Sequence, residues 1–215
     1  MTRTTGRLAG LTATLLISTL TLAGCGDDSD SGSKSGDPGS STASPSESES
    51  ATESGSASPT TLDGDMIGAG YAYDLPDGWK DTTKQAKKLQ ATIDTAAAEA
   101  EPDDGFADNL NVGYNQVGAA TLDQLEATVP DQLSNLVKKG DLEVLPHTEI
   151  AGVEAIHHRA PAALGATKYY LEQYAAITDD GNLAIITFSF SREVPEAKRN
   201  EVISTVIDSW QWKTA

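Results

Sequence analysis

Apolar and polar positions follow three different patterns along the chain. Residues 8–22 form an uncharged run of apolar and small side chains, and two arginines, Arg3 and Arg7, precede it. Residues 26–62 are mostly Ser, Thr, Gly, Asp, Glu and Pro. After this stretch, apolar residues recur at helical or alternating spacing, which predicts a folded domain over residues 63–215.

The first pattern is typical of a secretory signal peptide over residues 1–24. Its apolar run ends in Leu22-Ala23-Gly24-Cys25, which matches the lipobox of bacterial lipoproteins. In such proteins the cysteine thiol receives a diacylglyceryl group, and a peptidase then cuts the bond before it. We therefore expect cleavage between Gly24 and Cys25, and acyl chains such as palmitate on Cys25. The alternative, an ordinary signal in which Cys25 is an incidental thiol, stays open.

Lipidation would decide where the protein lies. Each buried CH₂ of an acyl chain contributes about 0.8 kcal/mol, and two chains suffice for stable anchoring. We expect the mature protein on the extracytoplasmic face of the cell membrane, with the membrane as a partner through the lipid anchor. The sequence contains no second cysteine, which excludes an internal disulfide framework and a multi-cysteine metal site.

The second pattern predicts a disordered acidic spacer over residues 25–62, because so few apolar side chains cannot offset the entropy of ordering. A flexible coil of this length has an r.m.s. end-to-end distance of about 33 Å. Acidic residues number 32 and basic residues 15, which gives a formal charge of −17. A polyanion repels nucleic acid and anionic lipid head groups, so we expect neither as a partner. We expect a monomer without a cofactor.

The domain begins with a predicted strand, a helix and a second strand. Residues 71–75 alternate and are followed by the turn Pro76-Asp77-Gly78. A helix is predicted over residues 82–99, and a strand over residues 109–117. A second helix is predicted over residues 121–139, with Thr121 as its N-cap and Pro130 as a kink or break.

Strands dominate the rest of the chain. They are predicted at residues 141–145, 149–160, 167–177 and 183–190. The segment Asp179-Asp180-Gly181-Asn182 predicts a hairpin between the last two strands. Residues 183–190 are apolar on both sides, which predicts a central strand covered on both faces. A final helix begins at Pro195. This order predicts an α+β fold with a mainly antiparallel β-sheet and helices on both faces.

Three histidines are the first candidates for chemistry. His157 and His158 are neighbours on a predicted strand, so their side chains point to opposite faces and cannot chelate one metal together. His147 is predicted in a loop next to proline. Residues 63–74 superficially resemble a calcium loop, but Ile67 stands where an oxygen ligand is needed. We therefore expect no metal site.

Catalytic sequence motifs are also missing. The chain has no Gly-x-Ser-x-Gly elbow, phosphate loop or His-Glu-x-x-His motif. Asp103-Asp104 and Asp179-Asp180 fall in predicted turns, where Asp bonds to the nearby backbone. Tyr169, Tyr170 and Tyr174 either line a ligand cleft or, as we favour, pack the sheet beneath a helix. We expect no catalytic residue and no enzymatic activity, although a carboxylate pair for glycoside hydrolysis stays open.

Several segments together resemble a known family. The segment Leu75-Pro76-Asp77-Gly78-Trp79 matches the Leu-Pro-x-Gly-Trp that opens many PsbP-like domains. It is followed by Asn109-Leu110-Asn111-Val112, Thr121-Leu122-Asp123, a Tyr-rich strand, Ile185-Ile186-Thr187-Phe188 and a final helix ending in Ser209-Trp210. In this order the segments resemble the actinobacterial LpqN-type lipoproteins over most of residues 65–213. The resemblance implies a PsbP-like α/β/α sandwich and an accessory role in the cell envelope. Some relatives are thought to associate with lipid-exporting transporters or to bind envelope glycolipids.

The sequence thus predicts a membrane-anchored lipoprotein whose domain is a non-catalytic binding or scaffold module of the cell envelope. An envelope transporter and a glycolipid are the candidate partners that the resemblance implies. The alternative is a glycolipid or small-molecule carrier with an apolar pocket between sheet and helix. A hydrolase is the third hypothesis.

Overall fold

The computed structural model describes residues 61–213. The predicted signal peptide, the cleavage site, Cys25 and nearly all of the spacer lie outside the described residues. None of the helices within residues 61–213 is long and apolar enough to cross a membrane. The elements are β1 (Met66–Ile67), β2 (Tyr71–Tyr73), β3 (Trp79–Asp81), α1 (Thr83–Leu89), β4 (Ile93–Glu99), β5 (Asn109–Gln116), α2 (Leu122–Gln132), β6 (Glu143–Ile150), β7 (Val153–Leu164), β8 (Thr167–Ile177), β9 (Asn182–Ser191), α3 (Glu196–Asp208) and β10 (Gln211–Trp212).

Seven of these strands form one large sheet in the order β3-β4-β5-β9-β8-β7-β6. Every neighbouring pair is antiparallel. The apolar strand β9 lies in the middle, as predicted, because only a position covered on both faces can bury both of its sides. The predicted hairpin joins β8 to β9 and is closed by a hydrogen bond from the Thr178 amide to the Asn182 carbonyl at 2.9 Å. The predicted α+β fold class is confirmed.

One face of the large sheet, named the α3 face, packs against α3 and a small sheet. The small sheet has the order β1-β2-β10. Its Tyr71 and Tyr73 are fully buried and stack on Trp210, with ring centroids 4.6 Å and 5.3 Å away. Trp212 closes this layer, since its indole nitrogen donates to the Ile150 carbonyl at 2.8 Å. The aromatic stack therefore holds β2, near the start of the domain, and β10, at its end, against the α3 face of the large sheet.

The opposite face, named the α2 face, packs against α2. Val129 and Leu133 are buried there in one apolar cluster with Ile185 of β9. The helix begins at Thr121 with a capping box, in which Gln124 N donates to Thr121 Oγ1 at 3.3 Å and Thr121 N donates to Gln124 Oε1 at 3.2 Å. Helices therefore cover both faces, as the sequence predicts.

The predicted helix over residues 82–99 is wrong in its second half. α1 ends at Leu89, and residues 93–99 form strand β4. Alanine spacing fits a helix and a strand alike, so the neighbouring strands decide the conformation. Ala96 and Ala97 are buried on opposite faces of the sheet, and Ala97 pairs with Leu110 of β5.

The boundaries of the next two elements also differ from the prediction. α2 ends at Gln132 instead of Lys139, two residues after Pro130, whose missing amide removes one hydrogen bond to the preceding turn and weakens the helix there. The predicted short strand at residues 141–145 is longer, since β6 runs to Ile150. His147 therefore lies in a strand and not in a loop. The pairing of β6 with β7 shifts its register between Leu145 and Thr148, next to His147.

Candidate functional site

A groove of about 520 Å³ runs between α3 and two loops of the large sheet. We name it the acidic groove, because carboxylates dominate its polar lining. Its apolar wall includes Leu75, Pro76, Trp79, Val194 and Val202. A volume of this size accommodates a small molecule or a short peptide segment. Its carboxylates are Asp77, Glu99, Asp103, Asp104, Asp108, Glu193 and Glu201.

The first wall of the groove comes from the turn before β3. The pairing of β3 with β4 places Trp79 opposite Glu99. Trp79 N donates to the Pro76 carbonyl at 3.1 Å, and Ala100 N donates to the Gly78 carbonyl at 2.9 Å. Gly78 has a φ of 78°, a backbone conformation that residues other than glycine adopt only with strain. The Leu-Pro-x-Gly-Trp segment therefore holds the indole beside a carboxylate.

Asp108 is the most buried acid of the groove, with 8% of its surface exposed. Its Oδ1 accepts a hydrogen bond from Ser191 N at 2.7 Å. Burial nevertheless raises the pKa of Asp108 to about 6, because the loss of water outweighs the bond from Ser191. The pKa of Glu99 is raised as well, first by burial and then by the charges of Asp103 and Asp104.

The charge of the groove is strongly one-sided. Its lining holds seven carboxyl groups and one ammonium group, that of Lys198. Lys198 Nζ lies 2.8 Å from Glu201 Oε2, so its charge is already matched. A cleft lined by one sign of charge concentrates counter-charged ligands, and an indole face adds a cation–π contact. The acidic groove is therefore suited to a cationic ligand.

The histidines do not contribute to this groove. His157 and His158 lie on opposite sheet faces, as predicted. His157 Nε2 is 2.7 Å from Glu172 Oε1, and its ring stacks on Tyr174 with centroids 4.1 Å apart. His158 is 1% exposed on the α2 face, and burial lowers its pKa. Within residues 61–213 no three His, Cys, Asp or Glu side chains are grouped so as to hold a metal ion.

His147 has partners that sequence reasoning missed. Its Nδ1 lies 2.9 Å from Glu154 Oε1, and its Nε2 lies 3.5 Å from Glu126 Oε1. The bond to Glu154 and the charge of Glu126 raise the pKa of His147. These contacts join β6, β7 and α2, and no spacing within one segment indicates them.

The segment that superficially resembles a calcium loop uses its acids to fix the backbone. Asp65 Oδ2 accepts a hydrogen bond from Leu75 N at 3.0 Å. The amide of Asp74 donates to Ser209 Oγ at 2.9 Å. Ile67 is 60% exposed in β1. The two ends of the segment are thus tied to the β2 turn and to α3.

The three tyrosines of β8 are divided between the two faces of the large sheet, because successive side chains of a strand point to opposite faces. Tyr174 is buried on the α3 face and Tyr169 on the α2 face, where both pack the sheet as expected. Two guanidinium groups contact the Tyr170 ring, those of Arg192 at 4.4 Å and Arg199 at 4.3 Å from its centroid. Tyr170 also lines a second, charged pocket of about 240 Å³.

The acids that were predicted as plain turn residues have two roles. Asp104 Oδ1 accepts a hydrogen bond from Phe106 N at 2.8 Å, as a turn residue does. Asp103 and Asp104 also line the acidic groove. Their sequence signal is only the run of acids around Pro102, and nothing in it indicates that α3 lies across from them.

Comparison with known proteins adds a similarity of fold. No protein-family model matches the chain, and no curated protein matches it. A crystal structure of LpqN, described as involved in cell envelope biogenesis of Mycobacterium tuberculosis, is 10% identical, covers 73% of this chain and 90% of its own, and has a TM-score of 0.49. A solution structure of PsbP from Synechocystis sp. PCC 6803 is 16% identical, covers 66% of this chain and 86% of its own, and has a TM-score of 0.48. Similarity of this degree transfers no site residue.

Proposed function

We propose that the protein is a membrane-anchored lipoprotein of the cell envelope and that its domain is a non-catalytic binding module. The acidic groove is the observation that carries the binding role, since it combines seven carboxylates with an indole around about 520 Å³. The anchored location is supported by the lipobox that ends at Cys25 and by the acidic spacer that follows it. LpqN is described as involved in cell envelope biogenesis, but the proposal rests on the lipobox and the groove.

The partner that fits the groove is a cationic segment of another envelope protein, such as a Lys- or Arg-rich extracytoplasmic loop of a transporter. Its charges would meet the carboxylates, and an aliphatic stem or guanidinium group would lie on Trp79. Rim charges of this kind mainly accelerate association and make it dependent on salt.

The experiment is proximity crosslinking in intact cells with the full-length chain. In one variant three exposed groove acids become amides: Asp77→Asn, Asp103→Asn and Glu193→Gln. We expect this variant to lose the crosslinked partner, and the wild-type crosslink to weaken as salt rises.

The matched control changes three exposed acids outside the groove: Glu149→Gln, Asp179→Asn and Asp180→Asn. It alters the net charge by the same amount and should keep the partner. If the control loses the partner to the same extent, only the net charge matters and the groove is not the binding site.

The anchor is tested separately through Cys25. A Cys25→Ser chain should move from the membrane fraction to the soluble extracytoplasmic fraction, because the acyl chains are lost. If it stays in the membrane pellet as firmly as the parent, the anchoring proposal is wrong, whereas the groove proposal is unaffected.

A hydrolase is the second candidate, favoured by one observation. Both Glu99 and Asp108 have raised pKa values in the same groove, and a raised carboxyl pKa is a property of catalytic general acids. Activity on envelope polysaccharide that follows a bell-shaped pH profile, and that Asp108→Asn abolishes, would establish this function. The carrier alternative predicts that a lipid co-purifies with the wild-type chain.

A further inference from the structure

Polar side chains form a line across the middle of the α2 face. Four of them lie directly opposite one another on neighbouring strands: Asn111 on β5, Thr187 on β9, Gln173 on β8 and His158 on β7. Opposite residues in a sheet have Cβ atoms about 4.5–5.5 Å apart, so the line is continuous. Two further buried polar side chains on the same face lie to one side of this line, two residues from Thr187 along β9 and four residues from Gln173 along β8. We name these six residues the polar row: Asn111, Thr187, Gln173, His158, Ser189 and Tyr169.

The polar row is buried, although much of its hydrogen-bonding capacity has no partner. Each of its residues is 6% exposed or less. Gln173 Nε2 donates to Thr187 Oγ1 at 3.0 Å, which satisfies the centre of the row. Within the described part of the chain no hydrogen-bond partner is found for Asn111 Oδ1, Ser189 Oγ, Tyr169 OH and His158 Nε2.

Unpartnered buried polar atoms are rare, and each one requires an explanation, such as a bound water, ion or ligand. Here four of them belong to one face of one sheet. Glu126 Oε1 is 3.8 Å from His158 Nε2, too far for a hydrogen bond. The neighbouring Phe106 ring, 6.0 Å from that of Tyr169, offers only an apolar surface.

The chemistry of the row specifies its occupant. It offers a carbonyl oxygen from Asn111, two hydroxyl groups and one imidazole nitrogen. Burial lowers the pKa of His158, so its imidazole stays neutral near pH 7. None of these groups is charged, and a buried ion would have no counter-charge within the row. An uncharged molecule that both donates and accepts hydrogen bonds matches them.

We propose that the polar row is a binding site for a small uncharged molecule with hydroxyl or amide groups. The site lies on the α2 face, whereas the acidic groove lies beside α3, so the two proposals can fail separately. Because the row is almost fully buried, a bound molecule exchanges slowly and survives purification of the full-length chain.

The first test is native mass spectrometry of the full-length chain purified from the membrane fraction of its own cells. The native mass should exceed the denatured mass by one discrete non-covalent adduct. Ser189→Ala and Tyr169→Phe each remove one hydrogen-bonding group with little change of shape. Each should lower adduct occupancy about tenfold, the loss expected for one buried hydrogen bond.

The second test is the sign of the change in melting temperature, Tm. If the row is occupied, Ser189→Ala and Tyr169→Phe remove bonds and lower Tm by about 2–4 °C each. If the row is dry, they remove unpartnered groups and raise Tm. Thr187→Val is the control, because it breaks the bond to Gln173 and lowers Tm in either case.

The outcomes separate the possibilities. An adduct together with lowered Tm values supports the proposal. Raised Tm values without an adduct overturn it and leave an unsatisfied core. Lowered Tm values without an adduct also overturn it, because the row then holds ordered water only.

Discussion

The groove acid Asp108 allows a direct test of whether the acidic groove keeps a buried charge at a cost to the stability of the fold. Its carboxylate is 8% exposed, and Oδ1 accepts a hydrogen bond from Ser191 N at 2.7 Å. Asp108→Asn keeps an oxygen acceptor for that bond, removes the charge and replaces the second carboxylate oxygen with an NH₂ group. We expect this variant to be more stable than the wild type at pH 8.

The magnitude follows from the pKa. Burial raises the pKa of Asp108 from 3.8 to about 6, so the folded state binds the proton more tightly than the unfolded state. The free energy of unfolding therefore falls as the pH rises from about 4 through about 6. One pKa unit corresponds to about 1.4 kcal/mol, which sets a ceiling of about 3 kcal/mol on this loss. The new buried amide group offsets part of it, and we expect a net gain of about 2 kcal/mol.

The assay is urea unfolding of wild type and Asp108→Asn at pH 4 and at pH 8. The two proteins should differ little at pH 4, where Asp108 is protonated in the fold, and most at pH 8. The exposed Asp179→Asn is the control and should match the wild type at both pH values. Equal stabilities of wild type and Asp108→Asn at pH 8 would refute the reasoning, because the buried charge would then carry no cost.

Three further substitutions test how the fold is held. Thr121→Ala removes the capping box of α2 and should cost about 1 kcal/mol in urea unfolding, with the loss confined to α2 in hydrogen exchange. Ala151→Gly relieves a φ of 47° at the β6–β7 turn and should raise stability by about 0.5 kcal/mol; a lower Tm would contradict this account of strain. Trp212→Phe removes the 2.8 Å bond to the Ile150 carbonyl and should cost about 1 kcal/mol or more in thermal unfolding, and an unchanged Tm would show that the bond contributes nothing.

The parts of the fold that could be predicted are those whose pattern has one physical solution. Residues 183–190 carry large apolar side chains on both strand faces, which only a central strand can bury. Residues 93–99 carry alanines, whose small side chains fit a helix and a strand equally well. There the pairing of Ala97 with Leu110 decides, and pairing between distant segments cannot be inferred from the segment alone.

The acidic groove was beyond sequence reasoning for a similar reason. It combines the turn before Trp79, the loop around Asp104 and the first turns of α3, which lie far apart in the chain. Each segment has an adequate local explanation, because Asp104 fits a turn and the helix has its own apolar stripe. Only the register of β3, β4, β5 and β9 brings the three together, and with them the burial that shifts the pKa of Asp108.

The polar row, in contrast, had a sequence signal that was open to a different interpretation. In β9 the residues on the α3 face stay apolar from Ile186 to Phe190. The residues on the α2 face change from Leu183 and Ile185 to Thr187, Ser189 and Ser191, all of them buried. A polar change on the buried side of a central strand is costly unless the groups find partners. A switch from apolar to polar residues on one buried face of a strand therefore indicates a place where hydrogen bonds replace apolar packing. In β9 this switch lies at the polar row that we propose as a binding site.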